Sequence, residues 1–333
     1  MGTDRVKERG CLSISTFFLP DVTMNKEQRD TLLALLPNYA VPCGYFRDKY
    51  ALDQLARLTQ KQPQKVQSLK TSSGSMFLQK PAVRKVLATF SDGIVLPERL
   101  LGKWPENTLP FNWTVGSWGT DDPSDYKWHQ TTRFGHNLVL QLNLDPSVVD
   151  EYYRLTGNND ISWFSDFDHP SAKKQVTLAW ARLDFDLEGD TVLIEEVQSD
   201  FVKEVKYWAE KYEKRRSEGK TLGYPYGYGL IQFWEKALLP SAKLWEEAML
   251  ATTLDFIEYE LGYRKVYMHT WESGCRLKHI DGSWLPPKSL YTKLPKKFGF
   301  QLTCEHPDFL KDHKPLKRRK KKDENTEWWR WEW

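Results

Sequence analysis

Five polar side chains crowd the end of one apolar run. In TVLIEEVQSDF, residues 191–201, the hydrophobic start gives way to Glu195, Glu196, Gln198, Ser199 and Asp200. A carboxylate drawn into apolar surroundings has its pKa raised, and near neutral pH it then takes a proton from an amine or a water. Glu195 and Glu196 are therefore the candidate acid–base residues. Alternation along an unbulged strand sets Ile194 and Glu196 on one face, with Glu195 and Val197 on the other. Gln198 falls at the strand-to-helix junction, where open α/β sheets collect ligands. Ser199 and Asp200 have a competing use as caps for the helix that starts near Phe201.

Histidines near predicted strand ends, His129, His136 and His269, have the right chemistry for proton transfer. His269 closes the strand VYMHT and joins the candidate set. The stretch GYPYGYG, residues 223–229, offers Gly223, Gly227 and Gly229 for an anion-binding nest, with Lys236 close in sequence. Cys275 with His279, and Cys304 with His306, each supply two metal ligands, but no second close pair completes a zinc site. No metal is expected, and the scattered cysteines read as reduced thiols. The chain contains no GxSxG, Walker loop or HExxH, which removes the ordinary serine-hydrolase, P-loop and zinc-peptidase readings.

These groups need a sheet to hold them. NLVLQLNL alternates with period 2, and VTLAWARLDFDL with TVLIEEVQS flanks EGD as a hairpin. Long helices are predicted from Phe201 onward and from Ser241 to Gly262, then a strand at VYMHT, a short helix at PKSLYTKLP and a last strand at FGFQLTCE. Strands alternating with helices indicate an α/β domain with a mixed sheet flanked by helices. We expect that domain over residues 130–310. Residues 1–105 read as a mostly helical accessory region, with Asn25 and Pro81 opening helices. Residues 106–129 read as an irregular Trp-rich linker, and 311–333 as a basic, Trp-rich, disordered tail.

Formal charge is +3 over 333 residues, yet from Lys311 onward nine Lys/Arg face five Asp/Glu. The rest of the chain is close to neutral, so basic character belongs to that end. Lys317, Arg318, Arg319, Lys320 and Lys321 are the candidate contacts to nucleic acid or an acidic protein, with the neighbouring tryptophans for stacking. No apolar run approaches 18 residues and no charged-then-apolar leader opens the chain, which points to a cytoplasmic protein without a membrane span.

The order from the acidic strand end to SLYTKLPKKFGF resembles the C-terminal half of the GNAT superfamily of acyl-CoA-dependent N-acyltransferases. That resemblance implies acyl-CoA as donor, Tyr291 as the acid that protonates the departing thiolate, and Glu195 or Glu196 as the base for the amine. The family sets its phosphate loop directly after the central strand; here the glycine-rich stretch follows an interposed helix. EEVQSDF, the Trp-led helix near Trp245 and LPKKFGF also resemble an uncharacterised family of phage and prophage proteins, which implies a mobile-element setting and no known reaction. Two alternatives remain: a non-catalytic nucleic-acid or host-protein binder on a degenerate enzyme scaffold, and a nucleotide-dependent, NAD-type transferase.

Overall fold

In the computed structural model, residues 24–102, 104–125, 131–164, 169–222, 226–282, 285–320 and 326–332 are described. Ten strands are found among them. β1 (Val41–Tyr45), β4 (Leu109–Gly119), β5 (His136–Leu144), β6 (Thr177–Phe185), β7 (Thr191–Gln198), β8 (Lys265–His269), β9 (Gln301–Thr303) and β10 (Trp328–Glu332) form one sheet. Its order is β1-β4-β5-β6-β7-β8-β10-β9. β2 (Gln64–Lys65) and β3 (Ile94–Val95) make a separate two-stranded ribbon. Neighbours in the large sheet run antiparallel except β7 and β8, which are parallel. A parallel pair needs a crossover, and the helices between Asp200 and Leu261 supply it. The expected mixed α/β sheet is the observed fold.

Local signals act as the sequence predicts at several helix starts. Asn25 and Gln28 form a reciprocal capping box ahead of helix Lys26–Leu35. Asp145 accepts the Ser147 N–H before helix Pro146–Thr156, which stops at Gly157 with φ 66°. Ser199 accepts the Val202 N–H and caps helix Asp200–Ser217, so Asp200 is the first helical residue and not the cap.

The expected domain boundaries need correction. Residues 106–129 contain β4, an 11-residue strand hydrogen-bonded between β1 and β5, in place of a linker. Its alternating NWTVGSWG is masked by the surrounding Pro, Gly and Asp. Residues 24–102 are mostly helical, as expected, but are no separate accessory region, because β1 extends the sheet and Tyr50 stacks on Phe298 at 4.6 Å within the main core. Residues 326–332 of the Trp-rich end are no disordered tail. β10 lies between β8 and β9, with Trp328 fully buried and Trp329 5% exposed. Those rings hold the sheet together and are withdrawn from any stacking on nucleic acid. No helix among the described residues is long and apolar enough to cross a membrane.

The two faces of the sheet differ in kind. Leu138 and Leu140 on β5, Ala181 and Leu183 on β6, and Ile194 and Val197 on β7 belong to the main core, which takes in Phe201, Phe233 and Leu254 from the helices. Trp180, Arg182 and Asp184 occupy the alternate positions of β6 and point the other way. They too are at most 2% exposed.

Candidate functional site

Opposite Glu195 the sheet breaks register. Arg182 faces Glu196 and Leu183 faces Ile194, so Glu195 is an extra residue, a β-bulge. The bulge overturns the simple alternation. Ile194 and Val197 both enter the main core, while Glu195 reaches His269 and Glu196 reaches Arg182, both on the opposite face. The two glutamates therefore share the charged face.

The parallel pairing of β7 with β8 runs from Thr191 and Lys265 to Ile194 and Met268, and no further pair is registered. Past that point the backbone of β7 is served by side chains. Lys278 Nζ donates to the Glu195 carbonyl at 2.9 Å, and the Val197 N–H donates to the Tyr291 hydroxyl at 3.4 Å. Two side chains thus occupy the place where a continuing β8 would supply hydrogen bonds. Burial, and next the charge of Glu196, push the Tyr291 phenol well above its ordinary pKa, so it stays protonated.

Glu195 is fully buried. Its carboxylate accepts from the Thr132 N–H at 3.1 Å and the Thr132 hydroxyl at 3.0 Å, and lies 3.2 Å from His269 Nε2. Burial alone would raise its pKa, as expected from the sequence. The His269 hydrogen bond with the nearby Lys278 and Arg182 charges outweighs burial and holds the carboxyl at about 2. Burial pushes His269 the other way, below the ordinary imidazole value. The pair is therefore an ionised carboxylate and a neutral imidazole whose hydrogen sits on Nε2. Nδ1 then accepts from Ser273 Oγ at 3.4 Å, although that hydroxyl also closes the capping box of helix Trp271–Leu277.

Glu196 pairs with the fully buried Arg182 and lies 3.7 Å from Lys278 Nζ. Its side chain keeps 10% exposure, against none for Glu195. Arg182 sits over the rings of Trp118 and Trp180 at 5.9 and 5.6 Å. Arg133 grips Asp184 with two hydrogen bonds of 2.8 and 2.7 Å. At the strand end His169 Nδ1 lies 2.9 Å from Asp200, which also accepts from Gln198 and from Trp180 Nε1. Burial pushes the Asp200 carboxyl up, but His169, Gln198 and Trp180 together hold it below its ordinary value.

Glu195, Glu196, Gln198, His269 and Tyr291 are thus gathered around the end of β7. The glycine stretch is not. Gly227 and Gly229 are buried in helix Gly227–Gln232, and a Cβ on Gly229 would stand 2.1 Å from the Leu155 carbonyl oxygen. These glycines let two helices approach on the apolar side, and Lys236 is exposed on the continuation of that helix. Gly223 and His129 lie outside the described residues. His136 opens β5 beside Asp121 and Arg29. In the basic segment, Lys317 pairs with Asp312 at 2.7 Å and Arg318 is exposed. Arg319 and Lys320 belong to helix Lys314–Lys320, and Lys321 lies outside the described residues.

The resemblance to the N-acyltransferases implies backbone N–H groups for the CoA pyrophosphate beside the parted strands. At this site the edge is taken by Lys278 and Tyr291, and the two described glycines of the loop pack a helix. The described residues of that loop offer no phosphate cradle beside this site. Sequence reasoning also missed Arg182, Asp184, Thr132, Lys278 and His169. The alternation in AWARLDF carried a signal for Arg182 and Asp184; nothing local marks the other three. No protein-family model matches the chain, and no curated protein or solved structure matches it.

Proposed function

We propose that the chain transfers an acyl or aminoacyl group to an amine on a protein or nucleic acid, with its centre where β7 and β8 part. The observation that carries this reading is the end of registered pairing at Ile194 and Met268, directly before the Glu195 bulge and the Tyr291–Val197 contact. Glu196 is the base, since its side chain retains some exposure and its charge reaches Tyr291. Glu195 is a positioning residue that acts through His269 and Lys278. The amine attacks the acyl carbon and yields its proton to Glu196; the bond to the leaving group breaks, and that group takes the Tyr291 proton. Substrate enters when Lys278 releases the Glu195 carbonyl, which also frees Glu196 of its second cation. A phage or mobile-element setting is supported by the EEVQSDF resemblance alone.

The test supplies spermidine or a lysine peptide with either acetyl-CoA or the short acetyl thioester of N-acetylcysteamine, and reads acylation by intact mass. We expect transfer from the short thioester at a rate no lower than from acetyl-CoA. Glu196→Gln and Tyr291→Phe should each lower it by about 100-fold or more. The reading fails if neither thioester acylates the amine, or if both variants keep the parental rate.

A further inference from the structure

At the β1 edge of the sheet, four strands from β7, a cavity of about 390 Å³ opens. Its mouth is aromatic: Trp104 and Tyr259 line it and are 58% and 57% exposed. Exposure of two large rings at one cleft is costly unless something covers them. The Trp104 ring rests on Gly44, where an added Cβ would come within 2.9 Å of it. Glycine at that strand position is what lets the ring lie against the backbone. The opposite wall comes from the irregular end of a long helix, where Trp245–Asp255 passes into the π-helical turn Phe256–Leu261 that carries Tyr259 and Glu260. Such π segments interrupt regular helix hydrogen bonding and recur at ligand sites.

The charges on this wall are unequal in their partners. Asp53 is held by Lys49 at 2.8 Å, whose ammonium also lies 4.0 Å from Asp255 and 6.0 Å over the Trp104 ring, and Arg57 pairs with Asp255 and Glu258. Glu260 lines the cavity with no ion-pair partner among the described residues, and the Asp255 side chain is 37% exposed. Cys43 is also a wall residue, but burial pushes its thiol up to about 12, so it is a neutral wall and no nucleophile.

We infer that this cleft is a binding site for a small organic cation, an amine or quaternary ammonium with an apolar body. The rings of Trp104 and Tyr259 would cover the apolar body, the Tyr259 face would attract the charge, and Glu260 would neutralise it. The apolar floor and the few convergent polar groups are those of a ligand pocket, and the Glu195–Glu196 face takes no part in it.

The test titrates the full chain, by calorimetry or saturation-transfer NMR, with 2-phenylethylammonium, its neutral analogue 2-phenylethanol and the anion phenylacetate. We expect the cation to bind saturably, with Kd below about 1 mM and about tenfold tighter than the alcohol, phenylacetate being weakest. Glu260→Gln, at a partly exposed position, should erase most of the preference for the cation while leaving the alcohol unchanged. Gly44→Ala should displace Trp104 and weaken cation and alcohol alike, and Glu196→Gln should bind as the parent does. Absence of saturable binding up to about 10 mM, phenylacetate binding as tightly as the cation, or cation binding unaffected by both Glu260→Gln and Gly44→Ala would each overturn the inference.

Discussion

Along β6, Ala179, Ala181, Leu183 and Phe185 enter the helical side of the molecule, while Trp180, Arg182 and Asp184 point away from it. Both sets are withdrawn from water, yet they are stabilised differently. The first gains from removal of apolar area and from close packing, which tolerates no missing volume. The second holds Arg133, Arg182 and Lys278 against Asp184, Glu195 and Glu196, whose mutual attraction has to offset desolvation. An apolar face is damaged by any deletion. A charged face is damaged chiefly by an unequal one.

β10 gives one buried tryptophan to each side: Trp329, beside the half-buried Trp331, joins the main core, while Trp328 joins the smaller cluster with Leu193 and Tyr267 and lies 4.8 Å from His269, ring to ring. Ending the chain before Thr326 removes both and leaves β8 and β9 without a shared neighbour. Two large buried rings exceed what the usual margin of about 5–15 kcal/mol tolerates. Such a truncation should yield no cooperative thermal transition by circular dichroism. A parental melt would show that β10 is dispensable to both faces.

Single substitutions then separate the two materials. Phe201→Ala, beside Phe164 at 6.0 Å, should cost about 3–5 kcal/mol, and adding Phe164→Ala should only deepen the loss. Arg133→Met should cost a similar ~3–5 kcal/mol by stranding Asp184, but Arg133→Met with Asp184→Leu should regain most of it. Urea unfolding of the four variants reads the contrast. Equal behaviour of the two double variants would dissolve it.

Proton linkage acts on the charged side. Glu195 has its folded pKa depressed from 4.5 to about 2, so its contribution is complete above pH 4.5 and lost as pH falls towards 2. That loss amounts to about 3 kcal/mol, and Glu195→Gln should remove this window from a pH series of urea melts. His269, also depressed, stabilises fully above about pH 6.5 and loses its contribution as pH falls below that value. Loss of stability confined to the upper window would mean that Glu195 is not the ionised partner. The smallest effect belongs to the surface: Lys317 and Asp312 are each 55% exposed, and Lys317→Ala should change stability by less than about 0.5 kcal/mol.

The sequence displays the elements that bear their own signals. Asn25, Asp145 and Ser199 act on backbone N–H groups within three residues, so their caps are legible without knowledge of the fold. The hairpin of β6 and β7 is equally local. β4 and β10 are harder, because Pro, Gly and charge around 109–119 and 328–332 conceal strands whose partners lie elsewhere in the chain. The candidate glutamates are visible as a dense polar end, where burial is the only local cue to their protonation. For Glu195, His269 and Lys278, 74 and 83 residues away, outweigh burial and reverse that reading.

What the sequence by itself determines, then, is an α/β chain with a polar strand end at TVLIEEVQSDF and a helix capped there by Ser199 or Asp200. Tertiary structure decides the rest. Pairing register on β6 makes Glu195 a bulge and turns both glutamates to one face. The parallel partner β8 stops short, and Lys278 and Tyr291 take the backbone it leaves. Register and partner choice depend on residues far apart in the chain, and periodicity within one segment carries no information about either.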